Sequence, residues 1–276
     1  MKRFIEAWRR PRPPESHAQP PADAGPADAL PRVAQSLDAS ELCPLPARLE
    51  PAGVTRVMAL VPHPDDESIG CGGALARLSQ AGVAVRVVLV SDGSGAGGLP
   101  PGAGLIRQQE FVAALGVLGV RDHAMLGFPD GGLKFDAALR QAIGREVAAF
   151  APEWLLCPSG ADLHRDHRVV WAAAREAARA APSVQRLCEY EVWAPLPVTH
   201  VLDIGSVLQA KLDALACHRT ALACGNYLEA SAGLSRYRGL LLGRPEPAAA
   251  EGYLCSDRST GFSWGPGWGL PAGHAV

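Results

Sequence analysis

Residues 54–82 read VTRVMALVPHPDDESIGCGGALARLSQAG, and their reading decides the fold. VTRVMALVP is an apolar run of strand length. It is too continuous for a strand with one wet face, so it is expected to be buried on both sides. The chain then turns through Pro62-His63-Pro64-Asp65-Asp66-Glu67 and resumes as SIGCGGALARLSQAG, helical in spacing and stopped at Gly82. A second apolar strand, VAVRVVLVS (83–91), follows at once. Strand, helix and strand at these lengths make a βαβ unit with parallel strands.

The same alternation continues outward. LIRQQEFVAALGVLGV (105–120) is spaced as a helix, DHAMLGF (122–128) as a short strand, and FDAALRQAIGREVAAF (135–150) as a third helix. EWLLCPS (153–159) reads as another strand and HRVVWAAAREAARAA (167–181) as a fourth helix. RLCEYEVWAP (186–195) and THVLDI (199–204) follow as later strands, then a helix from about Gly205 to Cys217. The expected class is α/β: a Rossmann-like three-layer sandwich around a mostly parallel central sheet.

Residues 1–50 differ. They hold 9 of the 24 prolines of a 276-residue chain, and no apolar period. Such a segment buries too little surface to offset its ordering entropy, so it is expected to be a flexible Pro/Ala-rich extension, with the folded domain at 51–276. Phe4, Ile5 and Trp8 beside Lys2, Arg3, Arg9 and Arg10 could form a short interfacial helix that touches a membrane surface over residues 1–10, but the stretch is short and an ordinary frayed terminus explains it better. The tail FSWGPGWGLPAGHAV (262–276) is expected to be irregular.

Composition narrows the function. Lys+Arg 26 against Asp+Glu 28 gives a formal charge of -2, without the cationic excess that nucleic-acid binding needs. No apolar run approaches the length of a membrane span, and the basic opening is not followed by an apolar signal-peptide core. Seven scattered cysteines without a C-x-x-C pair fit a reduced, cytoplasmic protein. Oligomeric state cannot be read from the sequence.

In open parallel sheets, chemistry sits at the carboxyl ends of the strands. Three polar clusters fall there: residues 62–67, Ser91-Asp92-Gly93, and His164-Arg165-Asp166-His167. A catalytic zinc takes three protein ligands and keeps a fourth position open. His63 and Asp66 can face one point from a tight turn stiffened by Pro64, and His167 can add a second imidazole from the other loop. Asp65 is then left beside the metal, suited to take a proton from an activated water. His164 can reach the same pocket, with Asp166 placed to hydrogen-bond it and favour its protonated form. Each cluster alone is as well explained by a turn or a helix cap, with Asp65, Asp66 or Ser68 as the capping residue. Two of them on one sheet are not. The glycines at 70–73 invite a second reading, a non-hydrolytic nucleotide-binding protein. However, the G-x-G-x-x-G pattern is incomplete, and Asp65, Asp66 and Glu67 would repel a pyrophosphate. Close packing of helix on sheet explains the glycines better.

PHPDDES, IGCGGAL, SDG, LIRQQEFVAALGVLGV, LGFPDGGL and LHRDH occur in that order over residues 56–167. Together they resemble the PIG-L / LmbE-like family of zinc-dependent N-deacetylases, with a weaker match continuing through KLDALACHRTAL and AEGYL to residue 254. The resemblance implies a hydrolase that removes the acetyl group of an N-acetylated amino sugar, free or on a glycolipid or surface-glycan precursor. It implies Zn2+ on His63, Asp66 and His167, and Asp65 as general base. It makes His164, oriented by Asp166, the oxyanion-stabilising or amine-protonating group. Arg107 and Asp130 are expected to hold sugar hydroxyls, although Arg107 has a rival explanation as a surface ion pair with Glu110. Two departures stand out. Pro62 replaces the usual alanine before the motif histidine, and His218-Arg219-Thr220 replaces the usual late H-x-S-Q. His218 is expected to help shape the substrate pocket, so the identity of the sugar stays open.

Overall fold

The computed structural model describes residues 45–95, 99 and 101–262. The expected extension lies outside these residues up to position 44, as do residues 1–10 and the tail after Phe262. The first strand, β1 (Ala47–Arg48), falls within the last residues of the stretch expected to be an extension, and Leu49 beside it is buried.

Among the described residues, eight strands form one sheet. After β1 come β2 (Arg56–Val61), β3 (Ala84–Ser91), β4 (Asp122–Phe128), β5 (Trp154–Pro158), β6 (Arg186–Tyr190), β7 (His200–Asp203) and β8 (Ala250–Asp257). Across the sheet the order is β1, β7, β8, β6, β5, β2, β3, β4. All neighbours are parallel except β8, which runs antiparallel to both β6 and β7. The helices are α1 (Asp66–Gln80), α2 (Ala103–Val117), α3 (Ala137–Phe150), α4 (Arg165–Ala180), α5 (Leu208–Cys217), the single turn α6 (Arg219–Leu222) and α7 (Tyr227–Gly239).

The pleat of β2 sorts the core into two layers. Val57, Ala59 and Val61 pack with Leu75 of α1, Phe111 and Leu115 of α2 and Ala214 of α5. Met58 and Leu60 face the other way, onto Ile143 and Val147 of α3 and Val170 and Ala174 of α4. That is the three-layer sandwich, and it explains why β2 is apolar at nearly every position. The chain order reverses beside β2. From there it moves outward to β3 and β4 on one side, and returns through β5 to β6 on the other. The strand ends of β2 and β5 therefore open onto one crevice, where ligands bind in such sheets.

Helix α1 is broken at Cys71, whose φ of -140° and ψ of 18° are not helical. The second half restarts with the Gly73 and Ala74 amides, which donate to the Glu251 carboxylate at 2.7 and 2.8 Å. Lys211 Nζ donates to the same carboxylate at 2.6 Å and to the Ile69 carbonyl at 2.8 Å. Tyr253 adds its hydroxyl at 2.7 Å. A buried carboxylate from β8 thus caps a helix restart inside the core. The glycines serve packing: a Cβ at Gly70 would lie 2.3 Å from the Tyr190 ring, and one at Gly73 would lie 2.6 Å from Ile204.

Candidate metal centre and active site

The loop after β2 delivers His63, Asp65 and Asp66, and the start of α4 after β5 delivers His164, Asp166 and His167. His63 Nδ1 lies 3.2 Å from Asp66 Oδ2, and His167 Nε2 lies 3.2 Å from that same oxygen. The two nitrogens are 3.3 Å apart. Three donor atoms thus form a nearly equilateral triangle. Ligands about 2.0–2.1 Å from a tetrahedral zinc stand about 3.3–3.4 Å from one another, so the triangle fits the ion in size as well as in its N, N, O chemistry. The outward nitrogens face carboxylates. His63 Nε2 is 3.2 Å from Asp166 and 3.3 Å from Asp130, and His167 Nδ1 is 3.3 Å from Asp162. Such partners fix the tautomer and aim of metal-binding imidazoles. Two further sets of donor atoms lie within 4.8 Å of one another: His63, His164 and His167, and His63, Asp130 and Asp166.

The electrostatics describe a pocket made for positive charge. Burial alone would lower His63, but hydrogen bonds to Asp166 and Asp66 push it up to about 10. Burial is likewise outweighed at His167, which the Asp66 and Asp162 carboxylates push up to about 9. Burial would raise Asp66, yet His167 and His63 hold it far below the usual carboxylate range. Asp65 goes the other way. Burial, then the adjacent Asp66 charge, push it up to about 7 against the pull of Arg107.

Asp65 stands at the N-cap of α1, yet its carboxylate caps nothing. Its φ of 123° is rare for a residue with a Cβ, a conformation that costs about 1–3 kcal/mol and persists only where the surroundings impose it. Its side chain keeps 16% exposure, against 3% for Asp66. One carboxylate is open to a reactant and the other is enclosed as a ligand would be.

Other residues sit differently from the sequence expectation. Asp166 does not turn its carboxylate to His164. It accepts from the Gly131 and Leu133 amides at 2.8 and 3.2 Å and faces His63. His164 instead accepts the Asp166 amide on Nδ1 at 3.2 Å, as the N-cap of α4. Burial, then positive charge on His63 and His167, lowers its pKa, the reverse of the expected protonated form. Its Nε2 is left to the pocket as a hydrogen-bond donor. Arg107 is buried rather than paired with Glu110 on the surface. It donates to the carbonyls of Gly93 and Pro64 at 2.8 and 3.1 Å and to Asp130 at 3.0 Å, and reaches Asp65 at 3.5 Å. Arg107 and Asp130 therefore knit the loops under the site. His218 is 1% exposed and lies behind the first turn of α1, with Nε2 2.6 Å from Glu67 Oε1. It does not line an open pocket. Sequence reasoning gave no role to Asp162 or to Glu67 beyond its charge. Only the position of Asp162 two residues before His164, at a strand end, hints at one.

A family model described as GlcNAc-PI de-N-acetylase, PIG-L, matches residues 58–178. A relative from Bacillus anthracis is 30% identical over 60% of this chain and 81% of its own length. It is named a probable N-acetyl-alpha-D-glucosaminyl L-malate deacetylase. This chain belongs to the PIG-L family. Its fold is also that of N,N'-diacetylchitobiose deacetylase from Pyrococcus horikoshii, with a TM-score of 0.67 at 21% identity, covering 75% of this chain and 85% of the other. A 4-carboxy-2-hydroxymuconate hydratase from Pseudomonas putida matches almost as well, with a TM-score of 0.65 at 21% identity over 73% of this chain and 95% of the other. The fold alone thus carries more than one reaction, and the details of the chemistry must be argued from the site. Among the described residues, no helix of this PIG-L protein is long and apolar enough to cross a membrane.

Proposed function

We propose that this PIG-L protein is a zinc-dependent N-deacetylase of an N-acetylglucosaminyl compound. Membership in the family makes it an amide hydrolase acting on N-acetyl groups. The observation that carries the finer reading is the triangle of His63 Nδ1, Asp66 Oδ2 and His167 Nε2, with Asp65 beside it. These three residues would hold the ion. Bound there, zinc supplies Lewis-acid polarisation of the amide carbonyl and acidifies water toward a pKa of about 7.

The chain's own groups do the rest. Asp65 accepts the proton of the attacking water. A carboxyl held near neutrality is matched to that task, and a cation nearby lowers it from there. Arg107 fixes the Asp65 carboxylate from below. His164, neutral with its proton on Nε2, donates a hydrogen bond to the carbonyl oxygen as charge builds on it. Asp65 then returns the proton to the leaving nitrogen, and acetate and the free amine depart. Asp130, Asp162 and Asp166 hold the two ligand imidazoles in register.

The nucleotide-binding alternative has little room. In a dinucleotide site the amides at the helix start cradle phosphate. Here Glu251 already occupies the amides of Gly73 and Ala74. We place the protein in the cytoplasm, in keeping with its free thiols at Cys71, Cys157, Cys188, Cys217, Cys224 and Cys255. The catalytic domain is taken as residues 51–276, together with the short strand before it. The substrate is a soluble or lipid-linked amino sugar.

The test is metal analysis together with a deacetylation screen over N-acetylglucosaminyl compounds, read as released amine. Near one zinc per chain, lost in a His63→Ala/His167→Ala variant, and amine release from at least one compound are expected. Full zinc occupancy in that double variant would remove the ligand assignment.

A further inference from the structure

Glu67 and His218 are buried ionisable residues that the chemistry above does not use. Glu67 is fully buried in the first turn of α1, and His218 lies between α5 and α6, 151 residues away. Glu67 Oε1 accepts from His218 Nε2 at 2.6 Å and from the Ser68 hydroxyl at 2.6 Å. Its other oxygen accepts the backbone amide of Asp65 at 3.1 Å. That amide belongs to the residue with φ 123°. A strained residue stays where it is only if its neighbours over-determine it. Around Asp65 those neighbours are Arg107, 3.5 Å from the side chain, the Ser68 and Ile69 amides, which donate to its carbonyl at 3.1 and 3.0 Å, and Glu67, which alone of these accepts from its amide. Among the described residues, Glu67 in turn has one long-range hydrogen-bond partner, His218.

We infer that His218, acting through Glu67, is a positioning residue that holds the Asp65 backbone in its strained conformation and so aims the base. The inference rests on the deacetylase reading only in calling Asp65 the base. It moves His218 from shaping the substrate pocket to setting the geometry of the catalytic loop. A misaimed base lowers turnover without touching substrate affinity, and a displacement of about 1 Å can cost 10²-fold.

The test uses the full chain at saturating zinc. His218→Leu and Glu67→Leu should each lower kcat by about tenfold or more, with KM within about twofold of wild type and zinc content unchanged. His218→Gln keeps a donor and should recover most of kcat. Glu67→Gln keeps an acceptor for the Asp65 amide and should recover likewise. In an Asp65→Asn background, adding His218→Leu should cost less than about twofold, because the effect passes through the group already disabled. A crystal structure of His218→Leu should find Asp65 outside its positive φ, a readout that needs no activity. Should His218→Leu not fold, His218→Asn, too short to reach Glu67, takes its place with the same outcomes. A raised KM with unchanged kcat would overturn the inference in favour of substrate contact. Full additivity in the Asp65→Asn background, or Asp65 unmoved in the variant structure, would overturn it in favour of plain structural support. Wild type without deacetylase activity would instead sink the functional reading, and the Asp65 geometry would still decide the pair.

Discussion

Asp65 and Asp66 are chain neighbours with opposite surroundings. Asp66 is enclosed, accepts the His63 amide at 2.9 Å and sits between two imidazoles. Asp65 is partly open, has Arg107 as its side-chain neighbour and carries a raised pKa. Asp66→Asn should therefore lose metal affinity and rate together. Asp65→Asn should keep the metal and lose about 10²–10⁴-fold in kcat, the usual range for a general base. Asparagine is the right probe because it tolerates positive φ better than alanine, so the loss reports chemistry rather than backbone relief. Metal content and kcat, both measured at saturating zinc, check the pair; zinc lost from Asp65→Asn but kept by Asp66→Asn would reverse the two roles. At this scale the sequence was informative about which side chains come together where residue type and strand-end position coincide, as for His63, Asp65, Asp66 and His167. It was silent where a role depends on which way a side chain turns. Asp130 and Asp166 carry the right chemistry in the right loops, yet only coordinates tell that both face His63 Nε2. The pairing of His218 with Glu67 spans most of the domain, and no local spacing encodes it.

Helix α1 is where local pattern and tertiary structure part. Its apolar period is continuous, so the sequence reads as one helix, yet the backbone breaks at Cys71 and restarts on Glu251. The strand that supplies Glu251, β8, escaped the sequence reading because a glutamate followed by glycine interrupts an otherwise apolar run, and because its neighbours β6 and β7 lie far back in the chain. Glu251 compensates three things at once: two helix-start amides, the Lys211 ammonium and the Tyr253 hydroxyl. The Lys211 and Glu251 side chains are each only 3% exposed, so removing one leaves the other charged and unpaired. Glu251→Ala should destabilise the domain by about 3–5 kcal/mol, measured by urea unfolding of the metal-loaded protein. Replacing both residues, as Lys211→Met with Glu251→Gln, should cost less than the single change. If Glu251→Ala unfolded like wild type, the carboxylate would not be what holds the restarted helix.

Across the whole molecule, the reversal of chain order beside β2 brings two loops 100 residues apart in sequence onto one ion-sized triangle. The alternation of strands and helices makes that crevice legible in the sequence, since neighbouring parallel strands must present their carboxyl ends on the same edge. The charge balance of the crevice has a consequence for the entire fold. In metal-stripped protein the positive charge that faces Asp66, Asp162 and Asp166 is carried by protons on His63 and His167, raised to about 10 and about 9, while Asp130 also has Arg107 at 3.0 Å. An imidazole raised in the folded state stabilises that state fully below its unfolded pKa of about 6.5, and the contribution is lost as pH climbs through the folded value. Asp65, raised to about 7, works in the same direction at lower pH, because its contribution is lost between its ordinary value of about 4 and about 7. Stripped protein should therefore lose stability steadily from about pH 6.5 to pH 10. Metal-loaded protein should not, because the ion replaces the protons. Loading displaces up to two protons over this range, so apparent metal affinity should rise by up to about a hundredfold per pH unit at first and flatten above pH 9. Thermal melts with and without chelator at pH 6.5, 7.5 and 8.5 give the direct reading: the gap in Tm should widen at each step. Calorimetric titration of zinc in buffers of different ionisation enthalpy should count the released protons. A gap that narrows with pH, or loading that releases no protons, would mean that His63 and His167 are neutral before the metal arrives, and that the carboxylates around them are balanced by some other charge.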